Sequence, residues 1–486
     1  MSRITRRRFL SGSAAVGAAA CLSNTNLRAL GANEDVRIAI VGTGGRGSDH
    51  IKAFSKVAGC RIVGVCDADE DHLGKAVQNA EKAQNGQKVK GYSDYRKLLD
   101  DKEIDAIATA TPNHWHSLVT VWGCQAGKDV YVEKPISHEI WEGRKCVEAM
   151  TKYNRVVQHG TQRRSDQLWY QAYDYIRQGN LGAVQWVKGF CYKSRPSIGK
   201  TTTPTPIPAS VNYDHWCGPA PMEPLMRKKL HYDWHWVWPT GNGDIGNQGV
   251  HEMDLCRWFV GNTTLPDSVM SIGGRFGYDD DATTPNTMIT YYDYKPVPFI
   301  FEVRGLPRKA GTDAMDAFGK LIRIGIWVQC ENGYFAAGEG GGFCYDKDGK
   351  QIKQFKQQLG ASGHQETFIK AVKSRNPKDN PCNAEVAHLS AACCHLGNIS
   401  YRCGKEALAG DVSDAVKANP QASESFERMK EHLVSNNVDL KKTPIILGPS
   451  LTIDTKAERF TGEFGDAANK YLKREYRTPY EIPEQV

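Results

Sequence analysis

Gly42, Thr43, Gly44, Gly45, Arg46 and Gly47 read G-x-G-x-x-G, the spacing of a turn that cradles a dinucleotide pyrophosphate. Gly42 permits the turn, Gly44 lets the backbone approach the phosphates, and Gly47 lets a helix pack close to a strand. An apolar run at 36–41 precedes the turn and a helix-like stretch at 48–57 follows it. The helix N-terminus then offers unpaired N–H groups and the positive end of its dipole. A second strand-like run, 61–66, ends at Asp67, 20 residues beyond Gly47. A carboxylate there accepts hydrogen bonds from ribose hydroxyls and repels a 2′-phosphate, so the spacing predicts NAD rather than NADP as the cofactor. The competing reading of the glycines is a structural turn in some other α/β domain.

The elements that must position these groups continue the alternation. A β run at 104–110 leads into Thr111, Pro112, Asn113, His114, Trp115 and His116, and a helix-like segment at 117–126 follows. Another strand, 129–132, ends at Glu133, Lys134 and Pro135, before a helix at 141–153 and a strand at 155–160. Strands alternating with helices predict a parallel doubly wound sheet, whose ligands sit beyond the strand C-termini. All the residues singled out so far fall at those ends. After Gly160 the texture changes. Strand patterns at 184–193, 269–276, 287–294, 299–303, 321–327 and 334–337 are joined by loops, which predicts a mainly antiparallel sheet. Segments 365–375 and 385–401 read as helices, the second packing back toward the first domain.

The glycine turn, the T-P-N-x-x-H run from Thr111 to His116, the E-K-P of Glu133, Lys134 and Pro135, and the glycine-rich run 241–254 that carries His251 and ends at Asp254 together resemble the Gfo/Idh/MocA family. These are the glucose–fructose oxidoreductase and inositol dehydrogenase relatives, and the resemblance spans 36 to about 410. It implies an α/β fold: an N-terminal doubly wound Rossmann domain (33–160) and a C-terminal α/β domain (161–440) with a large, mainly antiparallel open sheet. Residues 441–486 form a tail that wraps the surface or meets a neighbouring subunit. The cofactor contacts that follow are Gly42, Gly44, Gly45, Arg46, Gly47, Asp67, Thr111, Pro112, Asn113, His116, Glu133 and Lys134. The open sheet implies a homo-oligomer, a dimer or tetramer.

Oxidising a hydroxyl requires a positioned carbon and a proton acceptor. The ammonium of Lys134, beside the expected nicotinamide, can bind the reacting hydroxyl and lower its pKa. His251 matches the family's histidine and can serve as acid or base near neutral pH. Asn247 stands where inositol-dehydrogenase-like members carry Asp; an amide orients a hydroxyl but takes no proton. Asp244 reads either as a substitute base or as a turn residue after Gly243. Tyr192, with Lys193 and Arg195, ends the first strand of the second domain and is expected at the substrate. Arg163, with Gln162 and Arg164, follows the last strand of the first domain. In the aromatic run 232–238, Asp233, Trp234 and His235 can hold a sugar by ring stacking and hydroxyl binding, while Trp236 reads equally as buried core. His114 and His116 form H-x-H, but no third ligand is evident, so no metal is expected.

Thr5, Arg6, Arg7, Arg8, Phe9 and Leu10 resemble a twin-arginine export motif, and the weakly apolar run 13–22 behind it is too short for a permanent membrane span. Residues 1–32 therefore read as a signal, with the small residues of the Leu30-Gly31-Ala32 run, Gly31 and Ala32, for cleavage. Lipidation of Cys21 and a plain basic arm are the alternatives. This route exports folded proteins, so a nucleotide cofactor would travel bound and be recycled in place, in the periplasm. The formal charge is +7, but 1–32 hold five arginines and no acids, so the rest is near +2. That is no nucleic-acid footprint. The 14 cysteines are scattered without C-x-x-C and read as buried thiols. The sequence thus predicts an exported NAD-dependent oxidoreductase acting on a carbohydrate or polyol hydroxyl. The alternative is a redox-neutral glycosidase using bound NAD. A non-catalytic sugar or nucleotide sensor fits less well, because Lys134 and His251 are retained.

Overall fold

In the computed structural model, which describes residues 35–319, 322–359 and 363–486, six strands alternate with helices in the first third of the chain. They are β1 (Val36–Val41), β2 (Cys60–Cys66), β3 (Lys90–Tyr92), β4 (Ala106–Thr109), β5 (Asp129–Val132) and β6 (Val157–His159). Their order in the sheet is β3-β2-β1-β4-β5-β6, and every pairing is parallel. β4 and β5 are buried at every residue, as strands covered by helices on both faces must be. The order reverses between β1 and β4, which opens the crevice used by doubly wound sheets for ligands.

Two helices start earlier than their hydrophobic pattern suggests. The first, Gly45–Phe54, opens inside the glycine turn, with Ser48 N–H already bonded to Gly44 O (2.8 Å). The other, Asn113–Gln125, starts directly after Pro112, whose fixed φ suits a helix entry. Asn113 and His116 are therefore first-turn helix residues, not loop residues. Helices Glu70–Ala83 and Tyr95–Asp100, capped by Asp69 and Asp94, complete the first layer.

The second sheet has 12 strands: β7 (Val184–Tyr192), β8 (Ser268–Gly274), β9 (Thr287–Tyr292), β10 (Phe299–Arg304), β11 (Ile324–Cys330), β12 (Gly333–Gly338), β13 (Gly341–Asp346), β14 (Gln351–Phe355), β15 (Lys405–Ala407), β16 (Ile445–Leu447), β17 (Leu451–Asp454) and β18 (Arg459–Thr461). The strand expected from 321 begins at Ile324, and Leu321 lies outside the described residues. Among the described residues only the β7–β10 pair is parallel; the sheet is otherwise antiparallel. Helices Gly249–Val260 and Ala384–Arg402 pack on one face, and helix Pro420–Ser435 packs against β9 and β10.

Helix Ala384–Arg402 joins the two halves. Ala384, Ala387 and Ala391 enter the core of the first domain, while Leu389, Ala392, Cys393, Leu396 and Ile399 enter that of the second. A helix apolar on all sides is stable only when buried this way. Residues 441–486 supply β16–β18 to the second sheet, then send Tyr480, Ile482 and Val486 into the core of the first domain. The 13 described cysteines are free thiols, mostly buried. The export motif and Cys21 lie outside the described residues.

Candidate active site

A cavity of about 740 Å³ opens at the C-terminal ends of β1, β2 and β4. Gly42, Thr43, Gly44, Gly45 and Arg46 line one side, with Asp67, Thr111 and Pro112 at the two neighbouring strand ends. Gly42 has φ +76°, and a Cβ there would stand 2.7 Å from Thr111 N. Gly47 lies behind the lining; its Cβ would fall 1.9 Å from Gly42 O, so its absence lets the helix sit against the turn. Helix Gly45–Phe54 carries no side-chain cap and no acid in its first turn, leaving its N–H groups for an anion. Asp67 accepts Thr43 N–H (2.7 Å), Thr43 Oγ1–H (2.9 Å) and Asp69 N–H (3.0 Å), which fixes its carboxylate at the cavity edge. Volume, glycine turn and carboxylate fit a dinucleotide: pyrophosphate on the helix N-terminus, adenosine ribose at Asp67.

Beyond β5, Glu133 is buried and surrounded by donors. Arg46 Nε donates to it (2.8 Å), as does Gln162 Nε2 (3.3 Å), and His50 Nε2 stands 3.1 Å away. Burial alone would raise its pKa; His50 and Arg46 outweigh that and hold it well below the usual carboxylate range. Lys134 Nζ donates to Asn247 O (2.8 Å) and Asn247 Oδ1 (3.1 Å), so the end of the short helix Gly243–Asn247, just before helix Gly249–Val260, holds the ammonium. Burial lowers the Lys134 pKa, opposed by Glu133 and Asp244. His251 lies in the first turn of that helix. Burial, then Lys134 and Arg163, push its pKa well below the usual histidine range, so the ring is neutral near pH 7. Among the described residues, no hydrogen-bond partner reaches its ring nitrogens. Asp244, in the short helix Gly243–Asn247, has both oxygens taken by Arg195 (2.8 and 2.7 Å) and is not a free base.

The remaining expected residues divide. Trp234 and His235 line the cavity with their rings stacked at 3.6 Å, and burial pushes His235 down to about 3. Asp233 turns away. It accepts Lys229 N–H (3.1 Å) and borders a separate pocket of about 280 Å³ with Trp236. Trp236 is buried under the Arg195 guanidinium (5.2 Å), as the core reading has it. Arg163 is paired with Glu252 (2.7 Å), a carboxyl that burial lifts to about 7 against that cation. Arg164 grips Asp254 (2.7 and 2.9 Å), so the last acid of the glycine-rich run anchors the segment that follows β6.

Tyr192, Asn113 and His116 are held away from the cavity, and Gly47, Glu133, Lys134, Arg163, Asp233, Asn247 and His251 also stand outside its lining. Tyr192 stands on the far face of β7, its hydroxyl donating to Glu302 (2.5 Å) and its ring under Arg304 (4.6 Å). Strand alternation sends the next residue, Lys193, the other way, to Gln248 Oε1 (3.1 Å) beside Asn247. Asn113 donates to Asn242 Oδ1 (3.0 Å). His116 stands between Pro135 O (2.6 Å) and Thr111 O (2.8 Å), joining the two cofactor loops from behind. Both belong to the first turn of helix Asn113–Gln125, whose start aims them into the core. The sequence reading missed His50, Trp115, Trp122, His231 and Tyr480. Only His50, three residues past Gly47 on the buried face of its helix, carried a signal.

Two family models match the chain: "Oxidoreductase family, NAD-binding Rossmann fold" over residues 36–161 and "Oxidoreductase family, C-terminal alpha/beta domain" over 180–298. Inositol 2-dehydrogenase 1 of Saccharopolyspora erythraea is 34% identical over 149 residues, 30% of this chain and 43% of that protein. Glycosyl hydrolase family 109 protein 2 of Shewanella sp. strain ANA-3 is 30% identical over 208 residues, 38% and 45% respectively. The chain thus spans about half the length of the curated relatives it matches. The WlbA dehydrogenase from Bordetella pertussis, solved with NADH and UDP-GlcNAcA, shares the fold at TM-score 0.55 and 19% identity, over 76% of this chain and 97% of that one. With both family models matched and the glycine turn built for a dinucleotide, the chain belongs to the Gfo/Idh/MocA oxidoreductases and its first domain is an NAD-binding Rossmann fold.

Proposed function

We propose that this protein is an exported oxidoreductase that keeps NAD resident and oxidises a hydroxyl of a carbohydrate or polyol. The observation that carries the reading is a clamped ammonium, Lys134, that acts electrostatically on a neutral imidazole, His251, whose ring has no hydrogen-bond partner among the described residues. The nicotinamide would supply the hydride acceptor. Lys134, held by Asn247, binds the hydroxyl oxygen and stabilises negative charge as the O–H bond breaks. His251 accepts the proton at a free ring nitrogen. Asn247 orients and takes no proton. Trp234 and His235 give a flat wall suited to the face of a sugar ring. The export half rests on Arg6 and Arg7. Replacing both with Lys should trap the protein in the cytoplasm; normal export of that variant would remove it.

A second reading, a glycosidase that oxidises and then re-reduces its substrate, is favoured by the similarity to glycosyl hydrolase family 109 proteins. The same three residues would serve both reactions. Incubating the purified protein with sugars and with p-nitrophenyl glycosides separates the two. Bound NADH that accumulates without phenol supports the oxidoreductase. Phenol released without net NADH supports the glycosidase. Neither signal with any sugar overturns both.

A further inference from the structure

We infer that the C-terminal segment 476–486 is part of the cofactor site, with Tyr480 walling the adenine end of the dinucleotide and restraining its release. The inference rests on the assignment of the cavity to NAD. With pyrophosphate at the glycine turn and the nicotinamide toward Lys134, the adenine lies past Asp67. That end is lined by Ser93, Arg96, Trp115, Trp122 and, from the far end of the chain, Tyr480.

Tyr480 is a fixed pillar. Its ring meets Trp115 edge-on (5.5 Å, 80°) and carries the guanidinium groups of Arg96 (5.5 Å) and Arg477 (4.8 Å). Its hydroxyl donates to Asp214 Oδ2 (2.7 Å) in the short helix Tyr213–Cys217 of the second domain. Arg477 locks the same helix: it pairs with the Asp214 carboxylate and donates to Asp214 O (2.8 Å) and Gly218 O (3.1 Å). Downstream, Ile482 and Val486 are buried in the first domain and Lys145 Nζ donates to Glu484 O (2.7 Å). The segment therefore runs from the first domain's core to the second domain's helix, with Tyr480 in the cavity lining between them. A flat purine suits a slot edged by two tryptophans, a tyrosine and an arginine. To leave, it must pass a wall pinned at both ends.

Full-length Tyr480→Ala and Tyr480→Phe proteins test this. NAD release is followed after dilution of the holoprotein. The stripped protein is titrated by calorimetry with ADP-ribose, which carries the adenine, and with nicotinamide mononucleotide, which lacks it. Tyr480→Ala should speed NAD release and weaken ADP-ribose by about tenfold each, with nicotinamide mononucleotide unchanged. Tyr480→Phe, which keeps the ring, should stay within about twofold for both. Equal losses for both fragments, or a lowered melting temperature of the stripped protein with unchanged release and ADP-ribose binding, would overturn the inference and leave Tyr480 a structural residue. If the unaltered protein binds neither NAD nor ADP-ribose, the cofactor assignment itself fails.

Discussion

The core behind Glu133 should make this protein acid-labile in a way that one substitution can expose. His364 Nε2 stands 2.8 Å from His159 O and its Nδ1 2.6 Å from Ser165 Oγ. Both rings are buried, and burial pushes His159 down to about 3 and His364 to about 4. In the unfolded chain each returns to roughly 6.5. Their folded values are depressed, so the unfolded state binds protons first as the pH falls. The stability is complete above pH ~6.5 and is lost below it, down to the folded pKa. The loss is about 1.4 kcal/mol per pH unit for each ring, or roughly 2.7 kcal/mol per ring by pH ~4.5. For the pair this rivals the whole stability of a typical domain, about 5–15 kcal/mol. Urea unfolding of the parent and His364→Gln proteins, at several pH values between about 7 and about 4.5, reads the difference. The variant should lose about 1 kcal/mol at neutral pH and fall less steeply on acidification, by about 1.4 kcal/mol per unit. Identical slopes would mean that His364 titrates as an exposed histidine does, and the burial argument would be wrong.

Two further outcomes follow from the cofactor edge and the reacting groups. Asp67→Ala removes the acceptor of three hydrogen bonds in the loop as well as the ribose contact, so NAD should bind about 10–100-fold more weakly by fluorescence titration and discrimination against NADP should relax; unchanged affinity for both would place the ribose elsewhere. In the pH–rate profile, burial places the acid limb, set by His251, below the usual histidine range and the alkaline limb, set by Lys134, below 10.5; an acid limb at the ordinary histidine value would contradict the neutral-base role.

Where local pattern and local geometry coincide, the sequence sufficed. β1, the glycine turn and the carboxylate 20 residues later are neighbours along the chain, so their chemistry could be read directly. β7 shows the opposite case. Its last six residues are all buried, so no alternation of apolar and polar residues tells which face Tyr192 takes. The partners that decide other roles lie far apart in sequence: Arg195 with Asp244, Asn113 with Asn242, Tyr480 with Asp214. Nothing within a helix or strand announces such pairs; they exist only once both sheets and the bridging helix Ala384–Arg402 are in place. The start of helix Asn113–Gln125 was marked by Pro112, but the apolar periodicity that dominates a reading begins a turn later.

The central claim is that Lys134 and His251 act on the reacting hydroxyl while the glycine turn and Asp67 hold the pyrophosphate and the adenosine ribose. The most direct measurement is a single turnover on holoprotein, following NADH formation with an oxidisable sugar in the Lys134→Met, His251→Ala and Asn247→Ala proteins, with bound NAD quantified in each. Lys134→Met and His251→Ala should keep NAD and lose about 10²–10⁴ in rate, and Asn247→Ala should lose less. Near-normal turnover in the first two variants, with NAD still bound, would contradict the account and place the chemistry elsewhere.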